Sequence, residues 1–181
     1  MKTKHVIITL FLSFVCSVSH AQLHREGDIT LNAGIGLGSM SYGGVSFNAF
    51  GEYAFSDQFS AGLAIGHSSY SENFGFVGFG DLYRFNATYF GPRASYHFAE
   101  AVGLDEDKFD LYGGAFLGYT VYSVSVGGER LGSVSGLGLG TNAFAYSLFG
   151  GIRYGINENF SAFGELGIGA NILQLGASYR F

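Results

Sequence analysis

The chain has 181 residues, about the length of one domain, and no shift in composition along it indicates a second. Apolar residues make up 48% of the chain and charged residues only 13%, against roughly 25% in soluble domains, so an ordinary water-facing surface is excluded. The formal net charge of −5 argues against a nucleic-acid partner. The 19 phenylalanines and 12 tyrosines argue against a disordered linker. The composition therefore predicts an ordered fold in a non-aqueous environment.

The N-terminus has the parts of a secretory signal. Two lysines precede an apolar run over residues 6–15, and a small-x-small cleavage site ends at Ala21. The run is too short to span a bilayer as a helix, which takes roughly 20 residues. The sequence therefore predicts a removed signal peptide over 1–21 and one domain over 22–181. Cys16 is the only cysteine and lies in the signal, so no disulfide or thiol chemistry is expected in the mature domain.

After the signal, apolar and small or polar residues alternate with a period of two, which is typical of β-strands. In the first segment, odd positions from 29 to 37 hold Ile, Leu or Ala, and even positions hold Thr, Asn or Gly. The parity changes around residues 84–90, which predicts a bulge in the upper half of the fourth strand. The alternation predicts eight strands, at 29–38, 45–55, 59–66, 84–98, 109–121, 144–154, 160–168 and 173–181.

The two faces of these strands predict a membrane barrel. One face is bulky and apolar, whereas the other carries glycine, small polar residues and charges. A secreted lipocalin-type barrel also alternates, but it places its apolar face inside. A closed barrel pairs every backbone group, as hydrocarbon requires. The predicted fold class is therefore all-β, an eight-stranded antiparallel transmembrane up-and-down β-barrel.

The lengths of the connections predict the orientation of the barrel. Residues 56–58 and 155–159 form short turns, which belong in the periplasm, whereas 67–82 and 123–142 form long loops, which belong outside. This orientation predicts an aromatic girdle at the periplasmic end of the apolar face. Its members are Tyr53, Phe55, Phe59, Tyr96, Phe98, Phe109, Tyr154, Phe160, Tyr179 and Phe181.

Two segments carry a resemblance to a known family. The stretch YFGPRASYHF over 89–98 and the last strand LQLGASYRF resemble porin-like outer-membrane barrels of the OmpA and OmpX type, and the Ala21-Gln22 junction resembles those of Bacteroidetes. The resemblance implies a Gram-negative outer membrane, with its lipid and lipopolysaccharide around the barrel. It also implies that the barrel-assembly machinery reads an assembly signal formed by Leu175, Ala177, Tyr179 and Phe181.

Five charged residues fall on the inward face: Glu52, Arg93, Arg153, Glu165 and Arg180. A narrow lumen cannot hold them unpaired without a cost of several kcal/mol, so an ion-pair network is expected. An eight-stranded interior is just wide enough to be filled by side chains. The primary interpretation is a structural or surface-interaction protein, and a narrow channel for ions or small solutes is the alternative.

His67 and Ser69, with Asp81, resemble the catalytic residues of lipid A deacylases, another set of eight-stranded barrels. The preferred interpretation is that these are ordinary polar residues near a loop. The protein is therefore not expected to be an enzyme. No cofactor or metal site is expected, because the mature histidines are scattered. The aromatic-rich loop over 67–82, with the loop over 123–142, is a candidate site for a surface ligand. Extension of the strands above the membrane is the preferred interpretation of the first loop.

Overall fold

A computed structural model describes residues 23–38, 44–73, 82–105, 107–126, 129–131 and 143–181, so the predicted signal peptide lies outside the described residues. No helix among them is long and apolar enough to cross a membrane. A 3₁₀ helix at Glu100–Val102 lies between the fourth and fifth strands. The strands are β1 (Ile29–Leu37), β2 (Val45–Ala54), β3 (Phe59–Asn73), β4 (Leu82–His97), β5 (Phe109–Val126), β6 (Glu129–Leu131), β7 (Ala143–Gly155), β8 (Phe160–Ile168) and β9 (Leu173–Arg180).

Eight of these strands form one closed barrel. Each long strand pairs antiparallel with the next along the chain, and β9 pairs with β1 to complete the circle. The short β6 pairs only with the outer end of β5, over residues 124–126. Closure lets the backbone N–H and C=O groups of neighbouring strands pair with one another, which is needed because hydrocarbon offers them no hydrogen-bond partners. The predicted eight-stranded antiparallel up-and-down barrel is confirmed.

Several strands extend farther than the alternation predicts. β3 continues to Asn73, β4 begins at Leu82 and β5 continues to Val126. The loops predicted at 67–82 and 123–142 are therefore shorter, because their first residues belong to strands.

The bulge predicted in the upper half of β4 is wrong. The β3–β4 register runs without interruption from Phe59 opposite Tyr96 to Asn73 opposite Leu82. Tyr89 keeps the inward parity of Arg93, and its hydroxyl hydrogen-bonds to polar groups in the lumen. The apparent change of parity therefore comes from an aromatic side chain that faces inward, and no residue is inserted.

The barrel is apolar outside and polar inside. Leu63, Phe144 and Leu166 are 69%, 73% and 65% exposed on the outer surface, whereas Glu52 and Arg93 are 4% and 5% exposed in the lumen. A surface of large aliphatic and aromatic side chains on every strand is unstable in water, because it is far larger than the apolar patches of soluble monomers. This distribution matches lipid on the outside.

Aromatic side chains form the expected belt at the end of the barrel that is predicted to face the periplasm, called the periplasmic end below. Phe160 and Tyr179 have ring centroids 4.8 Å apart, and Tyr179 and Phe181 have centroids 4.7 Å apart. A second set of exposed aromatic residues lies toward the other end, and it comprises Phe47, Phe90, Tyr119, Phe144 and Tyr146. Aromatic rings prefer the two membrane–water interfaces, so the two sets mark the height of the apolar band.

Candidate functional site: the barrel lumen

The centre of the lumen is an ion cluster around Arg93. Its Nε lies 3.3 Å from Glu52 Oε1, and its two terminal nitrogens lie 2.5 and 3.2 Å from the two oxygens of Glu165. Ser95 Oγ donates to Glu52 at 2.6 Å, and the Tyr112 hydroxyl donates to Glu165 at 2.9 Å. Each carboxylate thus has a charged partner and a neutral donor, which offsets the cost of burying it.

Two aromatic rings enclose the guanidinium of Arg93. Its Cζ lies 3.9 Å from the ring centroid of Phe50 and 3.7 Å from that of Phe149. Such cation–π contacts are strongest when the cation is removed from water. The rings also fill the part of the barrel cross-section that the ion pairs leave open.

The contacts of the central cluster cross strands that carry glycine. Gly62 of β3 is paired in register with Glu52 on one side and with Arg93 on the other, so these two side chains meet above a residue that has none. The same arrangement places Gly151 between Tyr112 and Glu165, and Gly66 between Asn48 and Tyr89. The inward glycines therefore provide the space in which residues two strands apart can touch.

A second cluster lies toward the periplasmic end, around Arg153. Its Nη1 donates to Asp110 Oδ2 at 2.5 Å, and its Nε donates to Ser178 Oγ at 3.2 Å. The other oxygen of Asp110 lies 2.8 Å from Nδ1 of His97, whose Nε2 lies 2.9 Å from Ser60 Oγ. All five side chains are buried. This cluster fills the inner half of the lumen.

The short outer connection between β8 and β9 folds a side chain into the lumen. Asn171 accepts a hydrogen bond from Ser46 Oγ at 2.6 Å and donates to the Tyr89 hydroxyl at 2.9 Å and to Gln174 Oε1 at 3.2 Å. Gly169 permits this tight connection because its φ of +116° is a conformation that glycine adopts readily. Cavities of about 40 and 160 Å³ lie beside this polar layer. Asn171 thus caps the lumen from outside.

The residues before β1 close the periplasmic mouth. Leu23 is buried, and the His24 ring stacks on that of His97 with centroids 3.5 Å apart. The Gly27 amide donates to the Ala54 carbonyl at 2.8 Å, which ties this segment to β2. We refer to residues 23–28 as the inner plug. The sequence did not indicate this plug, because an irregular segment such as residues 23–28 has no alternation of apolar and polar residues.

Comparison with solved structures places this architecture among known barrels. The chain is similar to the N-terminal β-barrel domain of OprF from Pseudomonas aeruginosa, with 16% identity, a TM-score of 0.57 and coverage of 86% of this chain and 98% of that one. For OprG of the same organism, the identity is 11%, the TM-score 0.56 and the coverage 88% and 98%. For Neisserial surface protein A, the identity is 16% and the TM-score 0.53, with coverage of 84% of this chain and 92% of that one.

The fold is that of a small outer-membrane β-barrel. No protein-family model and no curated protein matches the sequence of this barrel.

The structure separates the five charged residues expected in the lumen of this barrel. Glu52, Arg93 and Glu165 share the central cluster, whereas Arg153 belongs to the second one. Arg180 lies apart from both, at the periplasmic rim, where its Nη1 is 3.4 Å from Asp28 Oδ2. Sequence reasoning missed Asp110, although its parity with Tyr112 on β5 could have indicated an inward carboxylate.

Two of the other candidate residues lie on the outward face of the barrel wall. His67 and Ser69 are exposed, and His67 Nδ1 lies 2.9 Å from Thr88 Oγ1 on the neighbouring strand. Asp81, the third candidate, lies outside the described residues. The proposed assembly signal occupies the outward face of β9 and its end, where Leu175 and Phe181 are 55% and 67% exposed. Among the described residues, no three His, Cys, Asp or Glu side chains are placed to hold a metal ion.

Acidification should loosen the inner plug. Burial, reinforced by the charge of His97, lowers the pKa of His24 from 6.5 to about 4. The docked plug therefore keeps His24 neutral, whereas a released plug binds a proton below pH 6.5. Docking is at full strength above pH 6.5 and weakens progressively as the pH falls toward 4. Hydrogen exchange should show the protection of the Gly27 amide falling over this window.

The matched control is His24→Gln, which cannot titrate. In this variant the Gly27 protection should vary less between pH 6.5 and 4. Equal pH dependence in both proteins would show that His24 does not control docking.

Proposed function

We propose that the protein is an integral outer-membrane barrel with a closed lumen, which acts as a structural element of the cell envelope or through its outer surface. The observation that carries this proposal is the filled interior. Two buried ion clusters occupy the middle and inner parts of the lumen, Asn171 caps the outer part, and the inner plug covers the periplasmic mouth.

The alternative function, a narrow channel, requires a continuous aqueous path. The guanidinium of Arg93 blocks the centre, since Phe50 and Phe149 pack on its two faces and two carboxylates hold its edge. Opening a path there means separating charges that are desolvated, which costs several kcal/mol. The central cluster therefore favours a closed barrel over a pore.

Purified protein in planar lipid bilayers is expected to give no steady ionic conductance above that of a protein-free bilayer. The matched control is the double variant Phe50→Ser with Phe149→Ser, which removes both rings and keeps all charged residues. This variant should show conductance steps. Regular steps of constant size from the unaltered protein would contradict the closed-lumen proposal and favour the channel.

The outer ends of β3, β4 and β5 support a surface role. β5 has 18 residues and β9 has 8, whereas a membrane-crossing strand takes about 9–11. One side of the barrel therefore projects beyond the other. We infer that this projection, with loops 67–82 and 123–142, is where lipopolysaccharide or another surface ligand would bind.

The proposed location and orientation predict which positions are accessible from outside the cell. A cysteine placed at Ser123, near the outer end of β5, should react with a membrane-impermeant maleimide on intact cells. A cysteine at Ser56, in the opposite turn, should react only after the outer membrane is broken. The reverse result would invert the barrel, and equal labelling in a soluble fraction would exclude the membrane location.

Two further expectations concern export and assembly. N-terminal sequencing of the mature protein should begin at Gln22 if residues 1–21 are a cleaved signal. The barrel-assembly machinery is the proposed partner of the outward face of β9, and a photo-crosslinker at Phe181 should capture it during assembly. A crosslinker at Phe144, which is also exposed but lies at the outer end, is the matched control.

A further inference from the structure

Three side chains at the inner end of the lumen have the order of a nucleophile, a base and an acid. Ser60 Oγ lies 2.9 Å from His97 Nε2, and His97 Nδ1 lies 2.8 Å from Asp110 Oδ1. With the ring proton on Nδ1, His97 donates to Asp110 and accepts the hydroxyl proton of Ser60. A serine is activated by this arrangement, in which the base is itself oriented by a third group.

The three residues come from three strands and are held firmly. Ser60 lies on β3, His97 on β4 and Asp110 on β5, and they are 2%, 6% and 3% exposed. Arg153 binds the second oxygen of Asp110 at 2.5 Å, which fixes the carboxylate toward His97. Glu52 Oε1 also lies near Ser60 Oγ, but at 3.4 Å, so His97 is the closer acceptor.

A cavity of about 520 Å³ reaches this group from the periplasmic rim. Its volume falls within the range of ligand pockets, roughly 300–1,000 Å³. Its polar lining comprises His24, Asp57, Gln58, His97, Glu100 and Asp110, and Tyr96, Phe98 and Phe109 supply aromatic walls.

The inner plug separates this cavity from Ser60. His24 lines the large cavity and also a small void, too tight for a water molecule, whose other polar lining comprises Thr30, Glu52, Ser60, His97 and Arg153. Its ring covers that of His97 in a parallel stack, with an interplanar angle of 10°. Withdrawal of the plug would therefore join the two cavities and expose Ser60.

We propose that Ser60, His97 and Asp110 form a latent acyl-transfer site for a carboxylic ester, covered by the inner plug. Ser60 Oγ forms a bond to the ester carbonyl carbon while its proton passes to His97 Nε2. The bond from that carbon to the alkoxy oxygen breaks, and the alcohol leaves with the proton from His97. Water, deprotonated by His97, then releases the carboxylic acid and restores Ser60.

The other residues of the small cavity have assigned roles in this site. Thr30 and Arg153, which line the same void as Ser60 and Glu52, are assigned as donors to the developing oxyanion. Asp110 is a positioning residue, which acts through His97. The site goes beyond the structural role proposed above, because a structural or surface role requires no reactive serine.

A fluorophosphonate probe tests the proposal, with intact-mass analysis of the folded protein in lipid nanodiscs. The unaltered protein should be labelled slowly. Leu23→Ala with His24→Gly, which loosens the plug, should be labelled at least about ten-fold faster, and a further Ser60→Ala change should abolish the adduct. His97→Gln in the loosened protein should lower the rate about 100-fold, as loss of a general base does. Ser161→Ala, a buried serine on β8, should change nothing.

The positioning role of Asp110 is tested by a measurement that would not change if this residue were purely structural. In the loosened protein, Asp110→Asn should lower the labelling rate, whereas Asp110→Glu should restore it. The proposal is overturned if the loosened protein, shown to be folded by a heat-shifted band on gels, gains no adduct at Ser60. It is equally overturned if the adduct forms at an unchanged rate without His97.

Discussion

Replacement of Arg93 with alanine is expected to lower the free energy of unfolding by about 3–5 kcal/mol, because it leaves Glu52 and Glu165 buried without their cationic partner. Both carboxylates are 5% exposed or less, so water cannot take the place of the guanidinium. The change also removes the group between Phe50 and Phe149 and leaves their facing surfaces unpacked. Urea titration of the protein refolded in lipid vesicles measures the effect.

Arg180→Ala is the matched control, since its ion pair with Asp28 lies at the rim and the Arg180 side chain is 14% exposed. This substitution should lower the free energy of unfolding by about 1 kcal/mol or less. A second variant separates charge from packing: Arg93→Met, Glu52→Gln and Glu165→Gln together should recover most of the loss. If the triple variant is no more stable than Arg93→Ala, unpaired charge is not the cause.

Gly62→Ala should destabilise the barrel by about 3 kcal/mol, at the upper end of the range for overpacked cores. A Cβ at this position would collide with the carbonyl oxygen of Gly51 and lie 2.8 Å from Glu52 Cα. These are backbone atoms, so no side-chain rotation can relieve the clash. The methyl group would also stand in the space where Glu52 and Arg93 meet. The same urea titration measures the loss.

Gly150→Ala tests whether glycine as such is required. Gly150 faces outward on β7, and a Cβ there would have its nearest neighbour, the Tyr112 carbonyl oxygen, 4.0 Å away. Its effect should stay within about 0.5 kcal/mol, as for surface substitutions. Equal losses at both positions would mean that glycine acts through the backbone and not through the space in the lumen.

The barrel could be predicted from the sequence because lipid and lumen impose opposite demands on alternate residues. The alternation from Ile29 to Leu37 recurs in each later strand, and the structure keeps that parity in all of them. The prediction was wrong only where an inward residue is itself aromatic. Tyr89 counts as an apolar aromatic residue in the alternation pattern, but its hydroxyl hydrogen-bonds to Asn48 and Asn171. These contacts involve segments that are distant in sequence.

The strand ends could not be predicted as well as the strand centres. Inside the bilayer, a wrong residue is costly, so the pattern is strict. Beyond it, water accepts almost any side chain, and the extra residues of β3 up to Asn73 show no clear alternation. The inner plug was missed for a similar reason, since an irregular segment has no period.

The sequence by itself determined the architecture: strand number, the face that meets lipid, and the girdle, all of which follow from local alternation. Only the tertiary structure decided which inward groups meet. Parity places Glu52, Arg93 and Glu165 in the lumen, yet their pairing depends on register and on glycines such as Gly62, which lie on intervening strands. Register is a property of strand pairs and closure a property of all eight strands, so no single segment encodes either.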